Sequence, residues 1–262
     1  MRTHNPVLRA DTFTRFGDTA AAGPAVMTLQ GTVVKSALLL GICAATAAAV
    51  WGWMAPSFAA LKSGAAASLP PMALPMLIGC VIGGLVLALI IAFSPRSAPF
   101  LSPIYAVAEG GVVGAISVFT AVFYKGGPTM VLQAALLTFG ILAALLLAYL
   151  SRLIKPTENF KLGVFAATGG IALVFLGSIA LSLFGIHIPH LWENGWIGIG
   201  FASFVVVIAS LNLVLDFDFI EQGAEQGAPK HMEWYAAFGL LVTLVWLYLS
   251  ILRLLRLLGG RE

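Results

Sequence analysis

The chain has 262 residues, of which 60% are hydrophobic and only 10% charged, with a formal net charge of +3. Soluble domains carry about 25% charged residues, so this chain cannot clothe a water-facing surface and must use lipid as its main solvent. Its few positive charges are scattered and form no basic patch that would point to a nucleic-acid partner.

Residues 1–28 are polar, with Arg2, Arg9, Arg15, Asp11 and Asp18, and read as a largely irregular N-terminal arm. A signal peptide would place its apolar core nearer the first residue, so the first helix is expected to be retained. Residues 29–262 read as one domain: an all-α, polytopic membrane protein, a bundle of seven transmembrane helices. Apolar windows fall at about 32–54, 74–93, 104–123, 130–150, 161–184, 195–215 and 234–254. Each is close to the roughly 20 residues that a helix needs to cross the hydrocarbon. Helices are expected because lipid offers no partner to an unpaired backbone, and the windows lack the alternation of barrel strands. The connections "SPRSAPFLSP" (94–103), "YKGGPT" (124–129) and "RLIKPTENFK" (152–161) are short and rich in turn-forming residues.

Lysine and arginine set the orientation. With the N-terminus inside, the cytoplasmic side receives Arg2, Arg9, Arg15, Lys35, Arg96, Arg152, Lys155, Lys161 and Lys230. The other side receives Lys62, Lys125, Arg253, Arg256 and Arg261, so the bias favours a cytoplasmic N-terminus. Gly79 with Gly83, and Gly110 with Gly114, have the four-residue spacing that lets helix backbones approach closely. Cys43 and Cys80 lie inside apolar runs without CxxC or Cys/His spacing and read as small buried hydrophobes. Trp192, Trp196 and Trp234 read as interface anchors, and Trp246 falls in mid-span.

A charge at mid-bilayer costs at least ~2.5 kcal/mol on insertion scales, so each ionisable residue in a span calls for a reason. Glu109, flanked by glycines in "YAVAEGGVVG", reads as a cavity-lining acid or as a carboxyl bonded to a neighbouring helix. "LDFDFIEQGAEQGAPK" (215–230) follows an uncharged run and carries Asp216, Asp218, Glu221 and Glu225. Asp216 and Asp218 stand about 200° apart on a helix, so one can point inward while the other faces headgroups. Asp218, Glu221, Gln222 and Glu225 share a face and read as the solvated continuation of the sixth helix, ended by Gly227 and Pro229. Lys35 is expected to snorkel to the cytoplasmic interface, and Arg253 and Arg256 to touch headgroups. "GIHIPHLWENGW" (185–196) offers His187, His190 and Glu193 as a weak metal candidate. No nucleotide-binding, zinc-protease or serine-hydrolase motif occurs, so an enzyme and a bound cofactor are not expected. A secondary transporter is disfavoured, since no inverted repeat is evident.

"NPVL", "MTLQGTVVKSALLLG", "SPIYAVAEGGVVGAIS" and "VLQAALLTFGILAALLLAYLSRLIKPTENFKLGVFAATGGI" together resemble the Bax inhibitor motif family in its bacterial, YccA-like branch. The likeness runs from residue 4 onward, and "LDFDFIEQGAEQGAPKHMEWYAAFGLLVTLVWLYL" is its most specific part. The resemblance implies seven helices and a small, pH-sensitive calcium leak channel of the bacterial inner membrane. It also implies a proton sensor made of one acid on the sixth helix, here Asp216 or Asp218, and one on the seventh. Glu109 corresponds to the third-helix glutamate. The seventh-helix acid is expected in "LYLSILR", where this chain carries Ser250, which cannot titrate. Either Glu109 or another acid of 216–225 replaces that partner, or pH gating is lost. Asp216, Asp218 and Glu109 are the expected transient contacts for calcium or other cations, which prefer oxygen ligands. A different reading from the same resemblance is a non-conducting partner of a membrane-anchored, FtsH-like protease in membrane stress response, with the polar arm as the grasped segment.

Overall fold

A backbone in hydrocarbon must satisfy its own hydrogen bonds, and this chain does so with helices throughout. The computed structural model describes residues 26–63, 70–124, 126–154, 156–185 and 195–259. The helices are α1 (Leu29–Lys62), α2 (Ala73–Phe93), α3 (Ala98–Phe123), α4 (Gly127–Leu150), α5 (Glu158–Leu183), α6 (Trp196–Glu225) and α7 (Met232–Gly259). A short 3-10 turn, Pro95–Ser97, joins α2 to α3. All seven helices are long and apolar enough to cross a membrane. Among the described residues there is no strand, and Val26 and Pro229 form an isolated antiparallel bridge.

Several helices outrun the apolar windows because their ends are chemically capped. Thr28 starts α1 by accepting the Gly31 amide at 3.0 Å, and Thr157 starts α5 by accepting that of Phe160 at 3.3 Å. α6 continues past the window's end at residue 215 to Glu225, because its terminal acids find partners on other helices. Gly227, at φ +65°, then turns the chain towards α7.

α7 forms the centre of the bundle and packs against α1, α3, α4 and α6. One apolar cluster joins its Leu240, Leu244 and Leu247 to Leu213 and Phe217 of α6. Another, on a different face, joins Phe238 and Leu241 to Leu39 of α1 and Tyr105 of α3. α2 lies outside α3, and α5 meets the bundle chiefly through α6, helped by an Asn212 Nδ2 to Thr168 Oγ1 bond of 2.8 Å. Large apolar side chains such as Phe93, Leu147 and Phe165 remain on the outer surface, as lipid permits.

The glycine pairs differ. A Cβ built at Gly110 would stand 2.4 Å from the Cys43 carbonyl, and one at Gly114 2.7 Å from that of Ala47, so α1 and α3 are in backbone contact. Gly79 and Gly83 meet nothing within 4 Å, so the expected close approach does not occur there. Cys43 is buried and Cys80 half-buried, both as free thiols.

Candidate functional site

The antiparallel course of the helices gathers the start of α1, the end of α6 and the start of α7 at one end of the bundle. The backbone ties them together: the Met27 amide donates to the Ala228 carbonyl at 2.7 Å. Most of the chain's described acids lie at or near this end.

Asp216 is the acid that turns into the bundle. It is half-buried as a residue, but its Oδ2 is fully enclosed and has no hydrogen-bond partner. It faces α7, where a Cβ at Gly239 would stand 4.0 Å from Oδ1 and Thr243 is the nearby hydroxyl. The Thr243 hydroxyl itself donates back to the Gly239 carbonyl at 3.2 Å. A carboxyl without a full set of partners in an apolar seam is an expensive arrangement, and the cost depends on whether it carries charge.

Asp218 points elsewhere. Its Oδ2 pairs with Lys161 of α5 at 2.9 Å and accepts from Gln222 Nε2 at 2.6 Å. Glu221 accepts from the Tyr149 hydroxyl of α4 and pairs with Arg152 at 3.1 Å. The stripe expected to be only a wet helix end is therefore also a set of ties from α6 to α4 and α5. Sequence spacing shows which side chains share a face, but not which neighbouring helix that face meets.

Glu109, on α3, lies away from Asp216, among residues of α1, α2 and its own helix. Its neighbours are Tyr105, one turn back, and the thiols of Cys43 on α1 and Cys80 on α2. A Cβ at Gly84 of α2 would stand 3.7 Å from its Oε2. Tyr105 packs edge-on against Phe238, with ring centres 4.9 Å apart, whereas the next residue, Gly239, meets Asp216.

Ser250 does not meet Asp216. It sits seven residues beyond Thr243 on α7, or about 10 Å along the axis at 1.5 Å per residue, and its hydroxyl donates to the Trp246 carbonyl at 2.7 Å. The α7 positions facing Asp216 are Gly239 and Thr243, neither of them an acid. Among the described residues, no three His, Cys, Asp or Glu side chains converge as a metal site. His187, His190 and Glu193, and the arm up to residue 25, lie outside the described residues.

Among the described residues, the most fully buried acid is one that sequence reasoning did not single out. Glu233, in the first turn of α7, has no exposed surface. Its Oε1 accepts from the Thr28 amide at 2.9 Å, the Thr28 hydroxyl at 2.9 Å and Lys230 Nζ at 2.8 Å, and Lys35 binds Oε2. Lys35 therefore does not simply snorkel; it crosses from α1 to α7 and also lies 5.6 Å from the Trp234 ring. A signal was present: Lys35 near the start of the first span and Glu233 just ahead of the last carry opposite charges at the same end of the bundle.

Arg253 and Arg256 also depart from expectation. Rather than reaching outward alone, Arg253 lies 5.8 Å from the Phe175 ring and 5.7 Å from Phe201, and Arg256 lies 5.3 Å from Tyr124. Aromatic faces attract the flat guanidinium and hold it beside the bundle.

No curated protein and no solved structure gives a significant match to this chain. The profile of Bax inhibitor 1 like proteins does, over residues 5–260, which takes in all seven helices and every acid described above. With that match spanning nearly the whole sequence, the chain belongs to the Bax inhibitor 1 like family.

Proposed function

We propose that this protein is a proton-modulated leak pathway for calcium or other cations, and that it makes or breaks no bonds. We place it in the YccA-like branch and the bacterial inner membrane, with the N-terminus in the cytoplasm. One observation carries the reading: Asp216 has an enclosed oxygen without a partner in the seam between α6 and α7. An ionised carboxylate there needs water or a cation to replace lost solvation, whereas a neutral carboxyl leaves the seam closed more cheaply. Proton occupancy and helix packing are thereby coupled. In this reading Asp216 is the sensor and a transient cation ligand. Asp218, already paired with Lys161, positions α6. Glu109 contributes only where movement of α7 brings it into the path.

The test is calcium flux into liposomes holding the purified full chain, measured from about pH 6 to 8, the range of shifted carboxylates. Flux above that of empty liposomes should rise with pH, and Asp216→Asn should flatten the rise while Asp218→Asn leaves it in place. No flux at any pH removes the conduction reading. A pH dependence that survives in Asp216→Asn removes the sensor. Gly239→Asp, which places an acid opposite Asp216, should split the response into two steps, because paired carboxyls titrate jointly.

A further inference from the structure

At the other end of the bundle, some 14 residues or about 21 Å along α7 from Gly239, lies a cavity of about 370 Å³. It opens between four helices and is lined by Ile116 of α3, Phe175 of α5, Val205 of α6, and Ser250, Arg253 and Arg256 of α7. Its volume falls within the range of small-ligand pockets, roughly 300–1,000 Å³. The two arginines, three residues apart, present their guanidinium groups on one helix face. Both are half-buried, and Arg256 Nε is enclosed without a hydrogen-bond partner. Its guanidinium carbon lies 5.3 Å from the centre of the Tyr124 ring.

Arginines near a helix C-terminus gain from its dipole, and the end of α7 is such a place. That gain does not account for an enclosed Nε or for a cavity at the guanidinium edge. A guanidinium offers donors in a fixed fork that fits the paired oxygens of a carboxylate or phosphate. Apart from Ser250, whose hydroxyl already donates to the Trp246 carbonyl, the other described lining residues are apolar or aromatic, so a free hydrated anion would leave most of the cavity unfilled. We propose that this cavity binds an oxyanion carried on an apolar chain, with the phosphate or carboxylate on Arg256 and Arg253 and the first chain carbons against Phe175 and Val205. The site does not depend on the leak reading, and its test reads binding rather than flux.

Trp246 also lines the cavity, which makes it a reporter. The purified full chain in neutral detergent is titrated with phosphatidylglycerol, a fatty acid or phosphatidylcholine, each brominated on its acyl chain. The quenching absent from Trp246→Phe is then followed. Expected is half-quenching by at least one anionic amphiphile at a concentration about tenfold or more below that for phosphatidylcholine, the scale of one charge-assisted contact. Phosphatidylglycerol and fatty acid distinguish a headgroup phosphate from a carboxylate source. Arg256→Gln and Arg253→Gln should each weaken the preference about tenfold, and Arg256→Lys less than Arg256→Gln. Ser250→Leu keeps both arginines but fills the cavity, and should weaken binding even if an arginine variant fails to fold. Equal quenching by phosphatidylcholine, or unchanged preference in both glutamine variants and in Ser250→Leu, overturns the proposal. Full displacement by inorganic phosphate at the affinity of the lipid overturns the apolar part.

Discussion

Gly31 has no side chain in the place where the Glu233 carboxylate sits: a Cβ there would stand 2.2 Å from Oε1. The glutamate can reach the start of α1, and take the Thr28 amide and hydroxyl, only because that space is empty. Gly31→Ala should therefore act as an overpacking change, costing about 1–3 kcal/mol and lowering the detergent-solubilised melting temperature by several degrees. Glu233→Gln keeps the shape but removes the charge between Lys35 and Lys230, whose side chains are 18% and 47% exposed. Since both lysines reach water, its cost should stay below the ~3–5 kcal/mol of orphaning a fully buried partner. Equal melting of the wild type and both variants would show that the node holds nothing together. At this scale the sequence disclosed which side chains carry charge, but not that Lys35 and Glu233, 198 positions apart, touch.

Among the elements, α1 and α3 meet so closely that Gly110 and Gly114 form part of the interface backbone. Gly114→Val would drive a branched side chain into the Ala47 carbonyl and Val50, 2.7 and 3.0 Å from the built Cβ. It should force the helices apart and lower folded yield and melting temperature, whereas Gly79→Val, facing open space, should change neither appreciably. Size-exclusion profiles and thermal melts of the two variants check this; matching behaviour would deny the close approach. The spacing of four residues was equally visible in α2 and α3. Only packing distinguished them, because glycine spacing says that an approach is sterically possible, not that a helix lies there. The longer reach of α6 has a related cause: hydropathy falls at Asp216, yet the backbone stays helical while Asp218 and Glu221 are held by Lys161, Tyr149 and Arg152.

For the whole molecule, the lysine and arginine bias assigns Ser63 to the outside and Gln226 to the cytoplasm. Both are exposed, so single cysteines at these positions, with Cys43 and Cys80 replaced by alanine, report the orientation. An impermeant maleimide added to intact spheroplasts should label Ser63→Cys and spare Gln226→Cys until the cells are opened. The reverse pattern would invert the bundle and move the Arg253–Arg256 cavity to the cytoplasmic leaflet. The central position of α7 also has a functional consequence: Asp216 faces this one helix, and Glu233 and the arginine pair belong to it. A tilt of α7 would change every one of these environments together.

Lipid as solvent, seven crossings and the depth of each charge along its helix all follow from the order of residues, because transfer from water to hydrocarbon is a property that adds up along a segment. The azimuth of each helix does not follow in the same way. In a membrane the lipid-facing surface is as apolar as the buried one, so no 3.6-residue period marks the inner face. Tertiary structure alone decided that Asp216 faces Gly239 and Thr243 rather than Ser250, that Glu233 is buried between two lysines, and that two arginines border a cavity. Each is a pairing between side chains distant in sequence, and in this solvent packing geometry and hydrogen bonding, rather than hydropathy, select the partner.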